Sequence, residues 1–385
     1  MYVCPICGNS DQRFISLRKG KPYCRVCVSY IGQMVSNNYK VSSRVYKSLK
    51  YALSKEQNEL SNQLLNNFKS GKNSFVSAVC GSGKTEISLE TIVYAIKNQM
   101  KVGFTVPRRD VAIELLDRFK EMLPYSKISL VVGGHHEQLT GDLVICTTHQ
   151  LYRYVKYFSL IILDEIDAFP FKDNDVLRNI FFNSLKGHYV MMSATPSDDI
   201  INFFKGKNKD ILNLDVRFHR HPLPVPSFVV DKSKFRYIKL VNQVKKFIND
   251  NKPLFVFAPT IEECEKLCRF LSVFAKNGNF VHSQCQDRTR RIEQFREGHY
   301  RYLVTTSVLE RGVTLKNLQV IVFDADHPIY DKGTLIQISG RVGRKIDAPE
   351  GEVVFIAKRK TTAMEQARAS IINSNRTLQN MLQTN

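Results

Sequence analysis

Residues 78–86 read AVCGSGKTE, and they stand where an apolar run, FVSAV (75–79), stops and a helix-like run begins. Gly81 and Gly83 carry no Cβ, so backbone N–H groups can converge on an anion while the following helix adds its positive N-terminal end. Ser82 sits between them, Lys84 is placed to reach the β- and γ-phosphates, and the Thr85 hydroxyl is placed to ligate Mg²⁺. This is the layout of a nucleoside triphosphate loop, with ATP and Mg²⁺ as expected ligands. The usual pattern opens on Gly, whereas Ala78 stands at that position here. Taken alone, such a stretch also occurs as an incidental Gly-rich strand-to-helix turn.

Composition bounds the rest. A chain of 385 residues with 43% apolar content is globular and long enough for two or three domains. Its 56 Lys and Arg against 36 Asp and Glu leave a formal charge of +20, which favours a polyanionic partner, nucleic acid before an anionic membrane surface. No apolar run approaches the roughly 18–20 residues of a membrane span, and MYVCPICGNS lacks the basic-then-apolar layout of a signal peptide. A cytoplasmic protein is expected.

Cys4 and Cys7 form CPIC, and Cys24 and Cys27 form CRVC, with sixteen residues between the pairs. Two such knuckles can close four thiolates around one tetrahedral Zn²⁺, leaving no open position for catalysis. A redox role would instead need one pair beside a βαβ unit, and neither pair has one. Residues 1–50 hold nine Lys or Arg and one Asp, so the module is basic and too small to fold without metal. It reads as a docking element for nucleic acid or protein, or as a solubilising cap.

Beyond it, continuous apolar runs alternate with helical ones: KVGFTV, ISLVV, LVICTT, LIILDE and YVMMSAT follow FVSAV. Uninterrupted apolar strands indicate a parallel sheet covered on both faces. The pattern pauses at RFHRHPLPVPSF (217–228), with its three prolines, and restarts with PLFVFAP, NFVHS, RYLVTTS, VIVFDAD and EVVFIA. The expected architecture is α/β: a four-cysteine module and linker over 1–45, then two tandem parallel-sheet domains over 46–216 and 217–385, with a cleft between the sheets. From Thr361 the chain reads as an amphipathic helix.

In LIILDEIDAFP (160–170), four apolar residues lead to Asp164 and Glu165 at the carboxyl end of a strand, where open α/β sheets bind ligands. Asp164 is the candidate Mg²⁺ ligand and Glu165 the candidate base for the attacking water. A lone Asp-Glu after a strand is usually a solvated loop; downstream of a phosphate loop in one sheet it becomes the other half of an ATPase.

The order AVCGSGKTE, TVPRRD, TTHQL, DEID, SATP, TTSVLERGVTL and QISGRVGR resembles a superfamily 2 helicase motor with two RecA-like domains. DEIDAFP, LERGVT and the four-cysteine ribbon in front together resemble the bacterial competence protein ComFA family. That resemblance implies ATP-driven movement of single-stranded DNA during natural transformation. It also implies a DNA-uptake channel and competence or recombination proteins as partners, at the inner face of the cell membrane. The PriA replication-restart helicases share LERGVT and zinc cysteines, but theirs interrupt the second motor domain. Another superfamily 2 DNA or RNA helicase, and an ATP-switched DNA-binding scaffold, remain the other readings.

The resemblance extends to further positions. Gln57 in LSKEQ matches the Q motif, whose amide can pair with adenine, and Arg341 and Arg344 in QISGRVGR match the arginine fingers. Glu310, Arg311 and Gly312 fall where nucleotide is coupled to DNA. Pro107, Arg108, Thr147, Thr148, Thr305 and Thr306 are candidate phosphate contacts, and Ser193 and Thr195 candidate relays. His282 and the Arg288–Arg291 cluster fit either an extension of that track or an exposed basic helix face. Cys264 and Cys268, one helical turn apart, read as packing.

Overall fold

The computed structural model describes residues 2–30, 32–135, 138–168, 170–196, 198–206, 208–309 and 315–383. The candidates Glu310, Arg311 and Gly312 lie outside the described residues. By contact density the chain divides into two compact units, Met1–Leu214 and Asp215–Asn385.

The first unit opens with a hairpin of β1 (Ile15–Arg18) and β2 (Lys21–Cys24), paired antiparallel with Arg18 opposite Lys21. A long strap then leads to α1 (Lys55–Lys69), which starts at a reciprocal Ser54–Gln57 capping box. The sheet that follows contains β3 (Asn73–Ala78), β4 (Val102–Val106), β5 (Ile128–Val131), β6 (Leu143–Thr147), β7 (Phe158–Asp164), β8 (Leu185–Ser193) and β9 (Lys209–Leu214). Between them run α2 (Lys84–Lys97), α3 (Arg109–Met122), α4 (Asp175–Ser184) and α5 (Asp198–Phe204). The strand order is β5-β6-β4-β7-β8-β3-β9 with every pair parallel, a RecA-like sheet.

Continuous apolar strands were expected because both faces are covered, and β4, β6 and β7 are buried almost throughout. Each Leu, Ile or Phe so placed contributes about 1.5–3 kcal/mol through removal from water. The cysteine module packs on the same core: Cys4, Cys7, Cys24 and Cys27 join Tyr152, Tyr154, Tyr157 and Phe181 in one buried cluster. Asp142 fastens the strap, accepting from Tyr39 Oη and Ser42 N on one oxygen and from Lys127 N on the other.

The second unit holds β10 (Ser227–Val230), α6 (Phe235–Asn249), β11 (Leu254–Phe257), α7 (Ile261–Phe274), β12 (Gly278–Val281), α8 (Arg288–Arg296), β13 (Tyr302–Thr305), β14 (Gln319–Phe323), α9 (Lys332–Ser339), β15 (Val353–Ala357) and α10 (Thr362–Gln383). Its sheet, ordered β10-β15-β14-β11-β13-β12, is also parallel throughout. The proline-rich stretch carries no regular structure before Ser227, and Asn375 of α10 holds it by bonding both N and O of Leu223.

Two edge strands, β9 and β10, escaped the sequence pattern. KDILNL and SFVV are only partly buried, and an edge strand exposed on one side needs no unbroken apolar run.

Candidate functional site: a nucleotide loop and its relay

In the first unit, β3 ends at Ala78 and α2 begins at Lys84, so the chain between must reverse in five residues. Gly81 (φ 82°) and Gly83 (φ 80°) make that turn in the left-handed region. At Gly83 space is also restricting, because a Cβ would lie 2.5 Å from Gln57 Nε2. Ser82 and Thr85 are buried beside the turn. The Gln57 amide is engaged within the protein at both ends: Oε1 accepts from Ser54 N at 2.8 Å, and Nε2 donates to Ser82 O at 2.7 Å. It therefore joins the start of α1 to the phosphate loop.

Lys84 and Asp164 meet across the ends of β3 and β7, Nζ to Oδ1 at 3.1 Å, with little of either side chain exposed. Burial disfavours the Lys84 ammonium, but the surrounding carboxylates, Asp164 foremost, outweigh it and hold its pKa above the ordinary lysine value. Glu165 follows with φ 61°, a conformation that costs a non-glycine residue free energy and concentrates at functional sites. Its N–H is donated back to Asp164 Oδ1 at 2.8 Å, so the turn orients the Asp164 carboxylate. The Thr85 hydroxyl and the Asp164 carboxylate are hard oxygen donors suited to Mg²⁺.

A second connection runs from this loop to the end of β8. Asp167 accepts from Ser193 Oγ at 2.8 Å and from Thr195 Oγ1 at 2.7 Å, and Thr195 N donates to Ser193 Oγ at 2.9 Å. Asp167 carries no motif role of its own in the sequence; its one local signal is its place in DEID, two residues after Glu165. Thr147 ends β6 on the same edge of the sheet and Thr148 follows it, its Oγ1 buried and without a hydrogen-bond partner among the described residues. Pro107 and Arg108 follow β4 there.

In the second unit, Arg341 is buried and Arg344 half-buried, on the turn that follows α9. Arg344 Nε donates to Gly340 O at 2.9 Å. Gly343 has φ 67°, and a Cβ there would stand 2.0 Å from Pro349 O, so only glycine fits. Arg217 holds this turn: its guanidinium donates to Gly340 O, Val342 O and Gly343 O at 3.2, 3.0 and 2.8 Å. His219 Nε2 stands 3.0 Å from Gly343 O. Nothing in the sequence flagged Arg217, since its acceptors are backbone carbonyls more than a hundred residues away.

Other candidates are occupied structurally. Thr305 Oγ1 donates to Val281 O. His282 is buried against Glu265 at 3.1 Å, and Arg291 folds back onto Asp287, Asn279 and Phe280 O. Cys264 and Cys268 lie in the core, where burial pushes their thiols up to about 12 and about 11, as expected for packing.

The four N-terminal Sγ atoms lie within 4.8 Å of one another and are all buried. Cys4–Cys27 and Cys7–Cys24 separations of 3.4 and 3.7 Å approach the roughly 3.8 Å between thiolates on one tetrahedral Zn²⁺. Burial pushes the Cys7 thiol up to about 11, so four thiolates here call for a compensating cation. The donor set fits zinc.

Comparison with known proteins agrees with this geometry. Residues 55–203 match the DEAD/DEAH box helicase family and residues 238–345 the helicase conserved C-terminal domain. In fold the chain is similar to a solved structure of S. cerevisiae Dbp5 bound to RNA and ADP BeF3, with TM-score 0.63 and 18% identity over 84% of this chain and 92% of that one. It is 33% identical to competence protein ComFA of Bacillus subtilis (strain 168), over 97% of this chain and 86% of that protein. With ComFA of Streptococcus pneumoniae the identity is 34%, over 78% and 72% respectively. With two parallel RecA-like sheets, a phosphate loop facing a carboxylate pair, and kinship along nearly its whole length, the chain belongs to the ComFA family of superfamily 2 helicases, ATP-hydrolysing motors on nucleic acid.

Proposed function

We propose that this motor moves single-stranded DNA, driving the uptake of transforming DNA, and that the cysteine module holds a structural Zn²⁺. The observation that carries the motor reading over a static scaffold is the Asp167 bridge. One carboxylate, in the loop that holds Asp164 and Glu165, accepts from both Ser193 and Thr195. A change at the phosphates therefore has a bonded route to the end of β8, at Ser193 and Thr195. The preference for DNA and the role in competence rest on kinship with ComFA.

On this reading Lys84 binds the β- and γ-phosphates, and Thr85 and Asp164 hold Mg²⁺. Bound there, Mg²⁺ would neutralise charge on the phosphate oxygens. Glu165 orients the attacking water and takes its proton on the carboxylate. Arg341 and Arg344 are the arginines assigned to the departing γ-phosphate, with Arg217 keeping their turn in place. Gln57 joins α1 to the loop and is the candidate adenine contact, while Gly81, Ser82 and Gly83 form the cradle; Gly312 is assigned to nucleotide coupling by family position alone. Among the described residues no helix is long and apolar enough to cross a membrane, so placement at the membrane's inner face would come through uptake-channel and competence partners.

The test compares wild type, Glu165→Gln and Lys84→Ala in displacing a blocking protein from single-stranded DNA. ATPase is measured in parallel with single-stranded DNA, duplex DNA and RNA. A motor requires repeated hydrolysis, so both variants fail; a switch needs only ATP-bound closure and survives Glu165→Gln. Clearance by Glu165→Gln at the wild-type rate, or stronger stimulation by RNA, refutes the reading.

A further inference from the structure

We infer that the tip of the β1–β2 hairpin is a second nucleic-acid contact, a phosphate-and-base platform for single-stranded DNA outside the motor motifs. The inference rests on the single-strand reading above and assigns it a new surface.

The hairpin register places Arg18 directly opposite Lys21. Like charges in directly opposed positions repel and destabilise a two-stranded ribbon. The turn between them adds Lys19 at φ 51°, where Gly or Asn would be cheaper, followed by Gly20. Arg25 is exposed at the other end of the same ribbon, its N–H donated to Phe14 O at 2.8 Å. Among the described residues none of Arg18, Lys19, Lys21 and Arg25 makes an ion pair. Residues 1–50 contain a single carboxylate, Asp11, and it is taken by Arg13 at 2.6 Å. Three cations, Arg18, Lys19 and Lys21, therefore gather at the tip with no carboxylate to pair them, an arrangement that costs stability unless an external polyanion balances it.

The apolar side chains among these cations select the kind of polyanion. Tyr23 lies on the same hairpin face as Arg18 and Lys21, two positions along, and Phe14 is 45% exposed beside Arg25. Aromatic rings between cations suit a single strand, whose bases stack on the rings while its phosphates meet the charges, without sequence preference. The module is also fixed to the motor's own phosphate-contact turn. Tyr30, bonded through its N–H to Cys27 O, stacks on His149 at 6.1 Å, and Val35 N donates to Arg153 O at 2.8 Å. Arg153 Nη1 donates in turn to Gln33 O at 3.0 Å. His149 and Arg153 belong to the 3-10 turn Thr148–Arg153 that begins with the candidate contact Thr148. A strand held there and on the hairpin is held by segments of the first unit that are bonded to each other.

The experiment measures binding of fluorescein-labelled oligo-dT to the full chain by anisotropy over a range of KCl concentrations. The triple variant Arg18→Ser, Lys19→Ser, Lys21→Ser alters only exposed tip positions. Loss of three phosphate contacts lowers the slope of log K against log salt by about 2, at about 0.7 per contact, and weakens binding on the order of tenfold at moderate salt. The charge-preserving pair Arg18→Lys, Lys21→Arg keeps the wild-type slope. Wild-type slope and affinity in the triple variant overturn the inference. So does loss of binding to phosphatidylglycerol vesicles with oligo-dT binding intact, which would give the surface to a membrane. Failure of the wild type to bind oligo-dT sinks the single-strand reading itself, and this inference with it.

Discussion

Lys84→Ala probes the ion pair at the centre of the nucleotide loop. Nζ stands 3.1 Å from Asp164 Oδ1, and the two side chains keep only 15% and 12% of their exposure, so the substitution strands a carboxylate with little water around it. Removing one partner of a buried pair costs about 3–5 kcal/mol, and the residual exposure places the expected loss near the low end, about 3 kcal/mol. Adding Asp164→Asn removes the stranded charge, so the double variant recovers about 1–2 kcal/mol relative to Lys84→Ala. The deficit also carries a pH signature. Burial raises the Asp164 pKa, Lys84 opposes that and Glu165 adds to it, so without Lys84 the folded-state value climbs further. The folded state then binds a proton that the unfolded chain releases, and the variant gains stability relative to wild type as pH falls toward that raised pKa. Urea unfolding in magnesium-free buffer, followed by circular dichroism because the chain has no Trp, reads all three quantities. Equal stability of Lys84→Ala and wild type within about 0.5 kcal/mol, with no pH dependence, would refute the reasoning.

Arg217→Ala removes three charged hydrogen bonds from the turn that carries Arg341 and Arg344, so kcat should fall on the order of tenfold or more with KM for ATP little changed. Arg217→Lys should recover part of the loss, and an unchanged kcat in the Ala variant would remove its positioning role. Burial first, and then the Arg217 charge, depress His219 to about 4 from 6.5. Between those values the unfolded chain binds the extra proton, so stability is full above 6.5 and declines toward pH 4. His219→Gln should flatten melting temperature against pH over that window; an identical profile would count against it. Metal analysis should find one Zn²⁺ per chain, abolished by Cys4→Ala with Cys7→Ala. Because the module shares a core with Tyr152 and Tyr154, that variant should also expose the strap to protease while basal ATPase largely persists. A zinc-free wild type would reject the site.

Much of this molecule was legible as a string. Residues that act through their immediate neighbours report themselves: glycines at 81 and 83 because the turn is local, Lys84 and Thr85 because they open the next helix, Asp164 because the strand delivers it to the sheet edge. The paired knuckles at Cys4–Cys7 and Cys24–Cys27 announce a four-thiol set through spacing alone, and the unbroken apolar runs announce parallel strands covered on both faces. Edge strands β9 and β10 were lost because partial exposure relaxes the demand for apolar residues that makes a strand visible.

The tertiary structure decided what depends on partners far along the chain. Gln57 bonds Ser82, Asp167 gathers Ser193 and Thr195, and Arg217 gathers three carbonyls from the turn after α9. A carbonyl acceptor exists at every residue, so sequence carries no mark of which one a guanidinium will find. The left-handed turn at Glu165 is likewise imposed by its surroundings, because its own side chain disfavours it. The basic N-terminal segment could be read as charged from composition; that its cations stand opposed on one ribbon, fastened through Tyr30 to the turn at His149, follows only from register and packing. Charge and local turn chemistry are written residue by residue, whereas direction and juxtaposition arise when the folded core brings distant segments within bonding distance.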